Sequence, residues 1–219
     1  MRAIICRAWG APDQLSLEEF EPPQPSANQV LIKVTASCVN YADTIMIQGH
    51  YQTRPDFPFA PGLEAAGEVI QCGSAVSRFK PGDRVMALLG FGGFAEQAIA
   101  NETDCFHVPA EMDDETAAAF LIGYISSHVA IRWQAKLEAG ETMLVLGASG
   151  GVGLTAVEIG KALGASVIAG ASSAEKLEIA RQRGADQLID YKRNSLKKSV
   201  AELTNGEGAD VCYDPVGGD

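Results

Sequence analysis

At 219 residues and 47% hydrophobic content, the chain can form one large domain or two modest ones with real cores, which excludes a disordered segment. A formal net charge of −11 argues against nucleic acid or an anionic membrane as the main partner, since both are bound through basic patches absent here. Cys6, Cys38, Cys72, Cys105 and Cys212 lie far apart with no C-x-x-C pair, the usage of reduced thiols in a cytosol, not of a disulfide framework or tetrahedral metal site.

The opening MRAIICRAWG alternates and carries Arg2 and Arg7, so it predicts a strand and lacks the apolar core of a signal peptide. Short alternating or apolar runs follow at Leu15 to Phe20, Val30 to Ser37, Ala66 to Cys72, Asp83 to Leu89 and Phe94 to Ala100. Breaks such as EPPQPSANQ, PFAPG and KPGD separate them, which is turn chemistry at all-β spacing and predicts a partly open β-barrel or sandwich. The run Ala117 to Ile131 is interrupted by Gly123, Ser126, Ser127 and His128 and is shorter than a bilayer span of roughly 20 residues. It is expected to be a buried helix of a soluble protein. From Thr142 the pattern alternates: strands at 142–147, 166–170, 187–190 and 209–214, helices near 151–163, 174–183 and 195–203. That is a doubly wound parallel sheet, so an α/β protein with domains at 1–123 and 124–219 is expected. A dinucleotide fold has six strands, and only the first four are expected here.

The segment TMLVLGASGGVGLTA, residues 142–156, runs from a buried-type strand through small residues directly into a helical pattern. Such a turn lets backbone approach a ligand and aims free N–H groups and the positive helix end at phosphate oxygens. It departs from GxGxxG: the strand fixes the frame Ala148, Gly150 and Gly153, whereas the rival frame Gly151, Gly153 and Ala156 starts too deep in the helix. A dinucleotide pyrophosphate is therefore expected on Ala148, Ser149, Gly150, Gly151 and Val152. At the end of the second strand, where an NAD enzyme places Asp or Glu on the ribose, the chain reads Gly170-Ala171-Ser172-Ser173-Ala174-Glu175-Lys176. The missing acid and the cation at Lys176 favour NADPH, with Ser172 and Lys176 as binding residues, although Glu175 is a possible ribose contact.

With these residues in view, the chain resembles the zinc-independent quinone oxidoreductase branch, zeta-crystallin-like, of the medium-chain dehydrogenase/reductase family. The resemblance rests on PFAPGLEAAGEV (Pro58 to Val69), KPGDRV (Lys80 to Val85), NYAD (Asn40 to Asp43), GASGGVG and GADQLIDY, in the family's order and spread over essentially the whole chain. It implies a GroES-like β-barrel-type first domain, a Rossmann-type second domain whose C-terminal half is missing, and relatives that continue beyond residue 219. It also implies that Asn40, Tyr41, Asp43 and Ser126 line the nicotinamide end, and that Lys176 and Tyr191 hold a 2′-phosphate. Ser126 replaces the usual threonine and keeps the hydroxyl.

Zinc enzymes of the wider family polarise a substrate oxygen through Cys and His ligands. Here Asn40-Tyr41-Ala42-Asp43 and Gly62-Leu63-Glu64 stand in those places, and His50, His107 and His128 are scattered, so no metal is expected. Without a Lewis acid the natural reaction is hydride transfer from NADPH to a conjugated acceptor, a quinone or an enone, whose oxyanion needs only hydrogen bonds and a proton. Asn40, Asp43 and Tyr51 are the catalytic candidates; the hydrogen bond and proton come from Asn40, Tyr41 or Tyr51, directly or through water, with Tyr41 and Tyr51 equally aromatic wall. Reduction of the C=C bond of enals or enones and a non-catalytic, crystallin-like NADPH-binding role are the alternatives. A small-molecule partner, no nucleic acid or membrane, a cytoplasmic location and a homodimer of the full-length protein complete the expectation.

Overall fold

The computed structural model describes residues 1–217, which divide into two compact units, one from Met1 to Ile122 and one from Gly123 onward.

The first unit is antiparallel. β1 (Arg2–Ile5) pairs with β2 (Ser16–Glu19), and β3 (Gln29–Ser37), β4 (Glu64–Cys72), β5 (Arg84–Leu88), β6 (Gln97–Asn101) and β7 (Cys105–His107) form a sheet in the order β6-β3-β4-β5-β7. Alternate positions of the long strands turn inward. Val30, Ile32, Val69, Val85, Ala87 and Ala98 thus meet in one core that Phe79 closes. The β3–β4 pairing carries irregularities at Leu31/Ile32 and Val34/Ala36, and such bulges twist a sheet toward closure. Between β3 and β4 lies a short helix, α1 (Tyr41–Ile47), which the sequence pattern does not anticipate. The three-residue strand β7 is a second element beyond that expectation.

The apolar run expected as one buried helix over 117–131 is corrected. It is split into α2 (Asp114–Ala118), α3 (Leu121–His128) and a π-helical turn (Val129–Gln134). Ala119 leaves helical geometry at φ −103° and ψ 5°, a break that the apolar content of the run conceals. Only some of the run is buried, and Ser126 and His128 are exposed.

The second unit is a parallel sheet in the order β10-β9-β8-β11, from β8 (Thr142–Leu146), β9 (Ser166–Ala171), β10 (Gln187–Asp190) and β11 (Val211–Tyr213). The helices α4 (Gly151–Ala162), α5 (Ala174–Gln182) and α6 (Leu196–Leu203) follow the first three strands in turn. Successive β8 residues serve opposite faces: Met143 and Val145 pack with Ala156, Val157 and Val167, while Leu144 packs with Ile168, Ile189 and Val200. Both faces are covered, which is why β8 reads as an unbroken apolar run. This strand order has its reversal between β8 and β11, the place where such sheets bind ligands beyond the carboxyl ends of their strands.

Candidate functional site

The turn after β8 begins with Gly147 at φ +59°, a left-handed conformation that L side chains rarely adopt. Ala148 is fully buried, and its N–H donates to Gly170 O at 3.1 Å, which stitches the turn to the end of β9. Gly153 packs against the same turn: a Cβ there would run into Gly147 O and lie 2.9 Å from Ala148 Cα. Gly153 therefore holds helix to strand, as expected of the third position of the fingerprint. Gly150 and Gly151 differ. A Cβ on Gly150 meets only Gly147 O at 3.4 Å and one on Gly151 meets nothing within 4 Å. Gly150 is the N-cap of α4 and no side chain caps the helix, so the first-turn N–H groups face open space. Ser149, Gly151 and Val152 offer bare amide donors, while the Gly150 N–H closes the turn onto Gly147 O at 2.9 Å and Gly150 leaves room for an anion at a positive helix end.

The neighbouring cluster sits at the ends of β9 and β10. Ser173 caps α5, its Oγ accepting from Lys176 N at 3.4 Å, and Lys176 Nζ donates to Ser172 Oγ at 3.4 Å. Tyr191 follows β10 with its ring beside Gly170, whose added Cβ would lie 3.4 Å from Tyr191 Cδ1. Gathered there are a cation, hydroxyls and an aromatic ring without a carboxylate among Gly170 to Ala174, a set that fits a phosphomonoester better than a free ribose diol. The coenzyme-type residues Ala148 to Val152, Ser172, Lys176 and Tyr191 thus lie together at the carboxyl ends of adjacent strands.

Behind the turn is a group of three hydroxyls, two of them buried and that of Tyr213 partly so. Ser127, fully buried, shares Oγ contacts with Val152 O at 2.8 Å, Thr155 Oγ1 at 2.8 Å and Tyr213 OH at 3.2 Å. Its neighbour Ser126 is exposed on α3. The family resemblance singles out Ser126 and passes over Ser127, whose position anchors α3 to the start of α4.

In the first unit, Asn40 caps α1 and Asp43 is its third residue, a capping box in which Asp43 Oδ2 accepts the Asn40 N–H at 2.8 Å. N-x-x-D before an apolar helix is the signal in the sequence that marks this start. Asp43 is 2% exposed, so its carboxylate serves the helix end and does not face solvent. Burial pushes its pKa above the ordinary value, opposed by the amides of Asn40, Gly62 and Leu63, and Oδ1 has no partner at hydrogen-bonding geometry. Tyr41, by contrast, is 81% exposed. Tyr51 packs partly buried against Cys6, Met46 and Phe59.

Glu64 is 1% exposed. Its Oε1 accepts from Asn40 Nδ2 and its Oε2 from Ile122 N, each at 2.9 Å. Burial pushes this carboxyl up, while the donors Asn40, Ile122 and Cys38 hold it down. Cys38, partly buried nearby, has its thiol pushed up first by burial and then by the Glu64 charge. Among the described residues no group of three or more His, Cys, Asp and Glu is arranged to hold a metal ion. His107 lies against Phe79 and His128 against Trp133, well separated in sequence. No helix of the described residues is long and apolar enough to cross a membrane.

Two family models match this chain: the alcohol dehydrogenase GroES-like domain over residues 26–110 and the zinc-binding dehydrogenase domain over residues 151–219. A quinone oxidoreductase of Pseudomonas aeruginosa is 39% identical over 219 residues, covering 100% of this chain and 67% of its own length. The chain belongs to the quinone oxidoreductase, zeta-crystallin-like branch of the medium-chain dehydrogenase/reductase family. The Escherichia coli quinone oxidoreductase solved in complex with NADPH superimposes with a TM-score of 0.94 at 33% identity, over 100% of this chain and 67% of that one. Bovine quinone oxidoreductase-like protein 2 is 38% identical over 100% of this chain and 62% of its own length. Across several curated quinone oxidoreductase-like relatives the chain spans 60–62% of their length. The family fold, a GroES-like domain followed by a Rossmann-type sheet, accounts for both units.

Proposed function

We propose that the protein is a metal-independent, NADPH-dependent reductase that delivers hydride to a quinone or a similar conjugated carbonyl. The observation that carries this reading is the uncapped start of α4 with open space over Gly150 and Gly151, in the same unit as the hydrogen-bonded Lys176–Ser172 pair. The solved relative bound to NADPH supports the same coenzyme.

In this reading the free amides of Ser149, Gly151 and Val152 hold the pyrophosphate, with buried Ala148 fixing the turn and Gly150 leaving space for it, and Ser172, Lys176 and Tyr191 hold the 2′-phosphate. Bound NADPH supplies the hydride. The chain's own residues bind, orient and stabilise charge. Asn40 donates a side-chain N–H to the oxyanion that develops on the acceptor, Tyr51 walls the acceptor or passes a proton to that oxygen, and Tyr41 and Ser126 contact the nicotinamide end. Asp43, from its buried place, acts on Asn40 and not on the acceptor. The division of labour assigns acceptor chemistry to residues 1–123 and the coenzyme's phosphates to 124–219. Neither Asn40-Tyr41-Ala42-Asp43 nor Gly62-Leu63-Glu64 offers the Cys or His that zinc catalysis of this family type requires. A cytoplasmic homodimer belongs to the same proposal.

Steady-state turnover with NADPH and either a naphthoquinone or a 2-alkenal tests it. Faster turnover of the quinone supports the reading, faster turnover of the alkenal moves the substrate to enals, and activity confined to simple alcohols with added zinc defeats it.

A further inference from the structure

The most deeply buried ionisable side chain beside the proposed acceptor residues is one to which that mechanism gives no task. Glu64 is 1% exposed on β4, and besides the nearby Cys38 thiol its two oxygens have two N–H donors distant in sequence. Oε1 accepts from the Asn40 carboxamide 24 residues away, and Oε2 from the Ile122 amide 58 residues away, in the first turn of α3. An ionised carboxylate only accepts. It therefore draws the Nδ2 end of the Asn40 amide inward, in the same sense as the α1 capping box, in which the Asn40 side chain faces the Asp43 backbone N–H. One Nδ2–H is consumed, and the second remains for an acceptor oxygen.

We infer that Glu64 is a positioning residue, which locks the Asn40 carboxamide in its donor orientation toward the acceptor and ties it to the start of α3. The inference rests on the reductase reading for the meaning of that orientation, but the lock itself is a property of the first unit alone. Glutamine at this position keeps the size and removes the lock: its amide satisfies one donor and opposes the other. With Ile122 held by the remaining oxygen, the introduced side-chain NH₂ faces Asn40, which must rotate and present its carbonyl. Buried charge is costly unless fully bonded, and the burial-raised carboxyl agrees with a group kept for orientation at the expense of solvation.

The test is a cycle of Glu64→Gln, Asn40→Ala and the double variant, each assayed for kcat with a naphthoquinone, KM for NADPH and thermal melting. Glu64→Gln is expected to lower kcat on the order of tenfold to a hundredfold with KM for NADPH unchanged, and to have no further effect in the Asn40→Ala background. Additive losses, or a loss tracking melting temperature alone, overturn the inference. A second readout is independent of turnover: the Asn40 side-chain ¹⁵NH₂ signals, assigned by their loss in Asn40→Ala, are expected to be widely split and to collapse together in Glu64→Gln. Unmoved signals overturn the inference whatever the activity. Wild-type protein that reduces no conjugated acceptor, with the signals behaving as expected, instead removes the reductase reading and leaves the lock standing.

Discussion

Gly150 and Gly151 separate what the fold needs from what the ligand needs. Gly150 sits at φ −78° and ψ 166°, a conformation open to alanine, and an added methyl meets only Gly147 O at ordinary contact distance; on Gly151 it meets nothing within 4 Å. Alanine at either place should thus leave stability unchanged or raise it by about 0.4–1 kcal/mol through a less free unfolded chain. The methyl nevertheless occupies the space in front of the α4 amides. If a pyrophosphate sits there, each variant forfeits one N–H bond to a charged oxygen, about 1.5–3 kcal/mol, or a roughly ten- to hundredfold rise in Kd for NADPH. Gly153→Ala is the control of opposite kind. Its methyl strikes backbone, 2.9 Å from Ala148 Cα, so it should cost about 1–3 kcal/mol of stability as overpacking and weaken binding together with melting temperature. Calorimetric melting and NADPH titration of the three variants read both quantities. Wild-type affinity in Gly150→Ala and Gly151→Ala with unchanged melting would refute the reasoning, because those glycines would then be there for neither fold nor ligand.

Lys176→Ala should raise KM for NADPH roughly tenfold or more, the loss of one charged hydrogen bond, and leave KM for NADH as it was; equal effects on both coenzymes would remove the 2′-phosphate assignment. Ser127→Ala takes the hub from the buried hydroxyl group and should cost about 1–2 kcal/mol in urea unfolding, whereas a change below about 0.5 kcal/mol would mean that Thr155 and Tyr213 are satisfied without it. Cys105 is fully buried and its thiol is pushed up to about 12 from 9.0, mainly by burial. It should resist a thiol reagent at pH 8 until the protein is unfolded. Because the folded pKa is the higher one, the folded state holds this proton more tightly. Stability from it is intact below pH 9 and lost as pH rises toward about 12, a slope that should flatten in Cys105→Ala.

The second unit is legible in the sequence because its physics is local. A strand covered on both faces shows as an apolar run, a parallel crossover shows as strand, small residues, helix, and the expected strand at 187–190 coincides with β10. The single helix expected over 117–131 fails because hydrophobic content says that a segment packs, not where its backbone breaks; Ala119 is an ordinary helix former that here leaves the helix. Helix α1 escapes notice because seven residues give too little periodicity, leaving the Asn40–Asp43 cap as its only mark. Ser126 and Ser127 are chemically the same, and only the rotation of α3 decides which one is buried. Glu64 stands in the sequence as the remnant of a ligand motif with no histidine beside it. Its partners lie 24 and 58 residues away, a relation no spacing rule contains.

The account rests on a phosphate-bearing coenzyme held at the β8–α4 turn and the Lys176 cluster. Fluorescence titration of the protein with NADPH and with NADH measures that directly. Saturable binding is expected, tighter for NADPH by roughly tenfold or more and weakened in Gly151→Ala. No fluorescence change with either coenzyme, or preference for NADH, would contradict it.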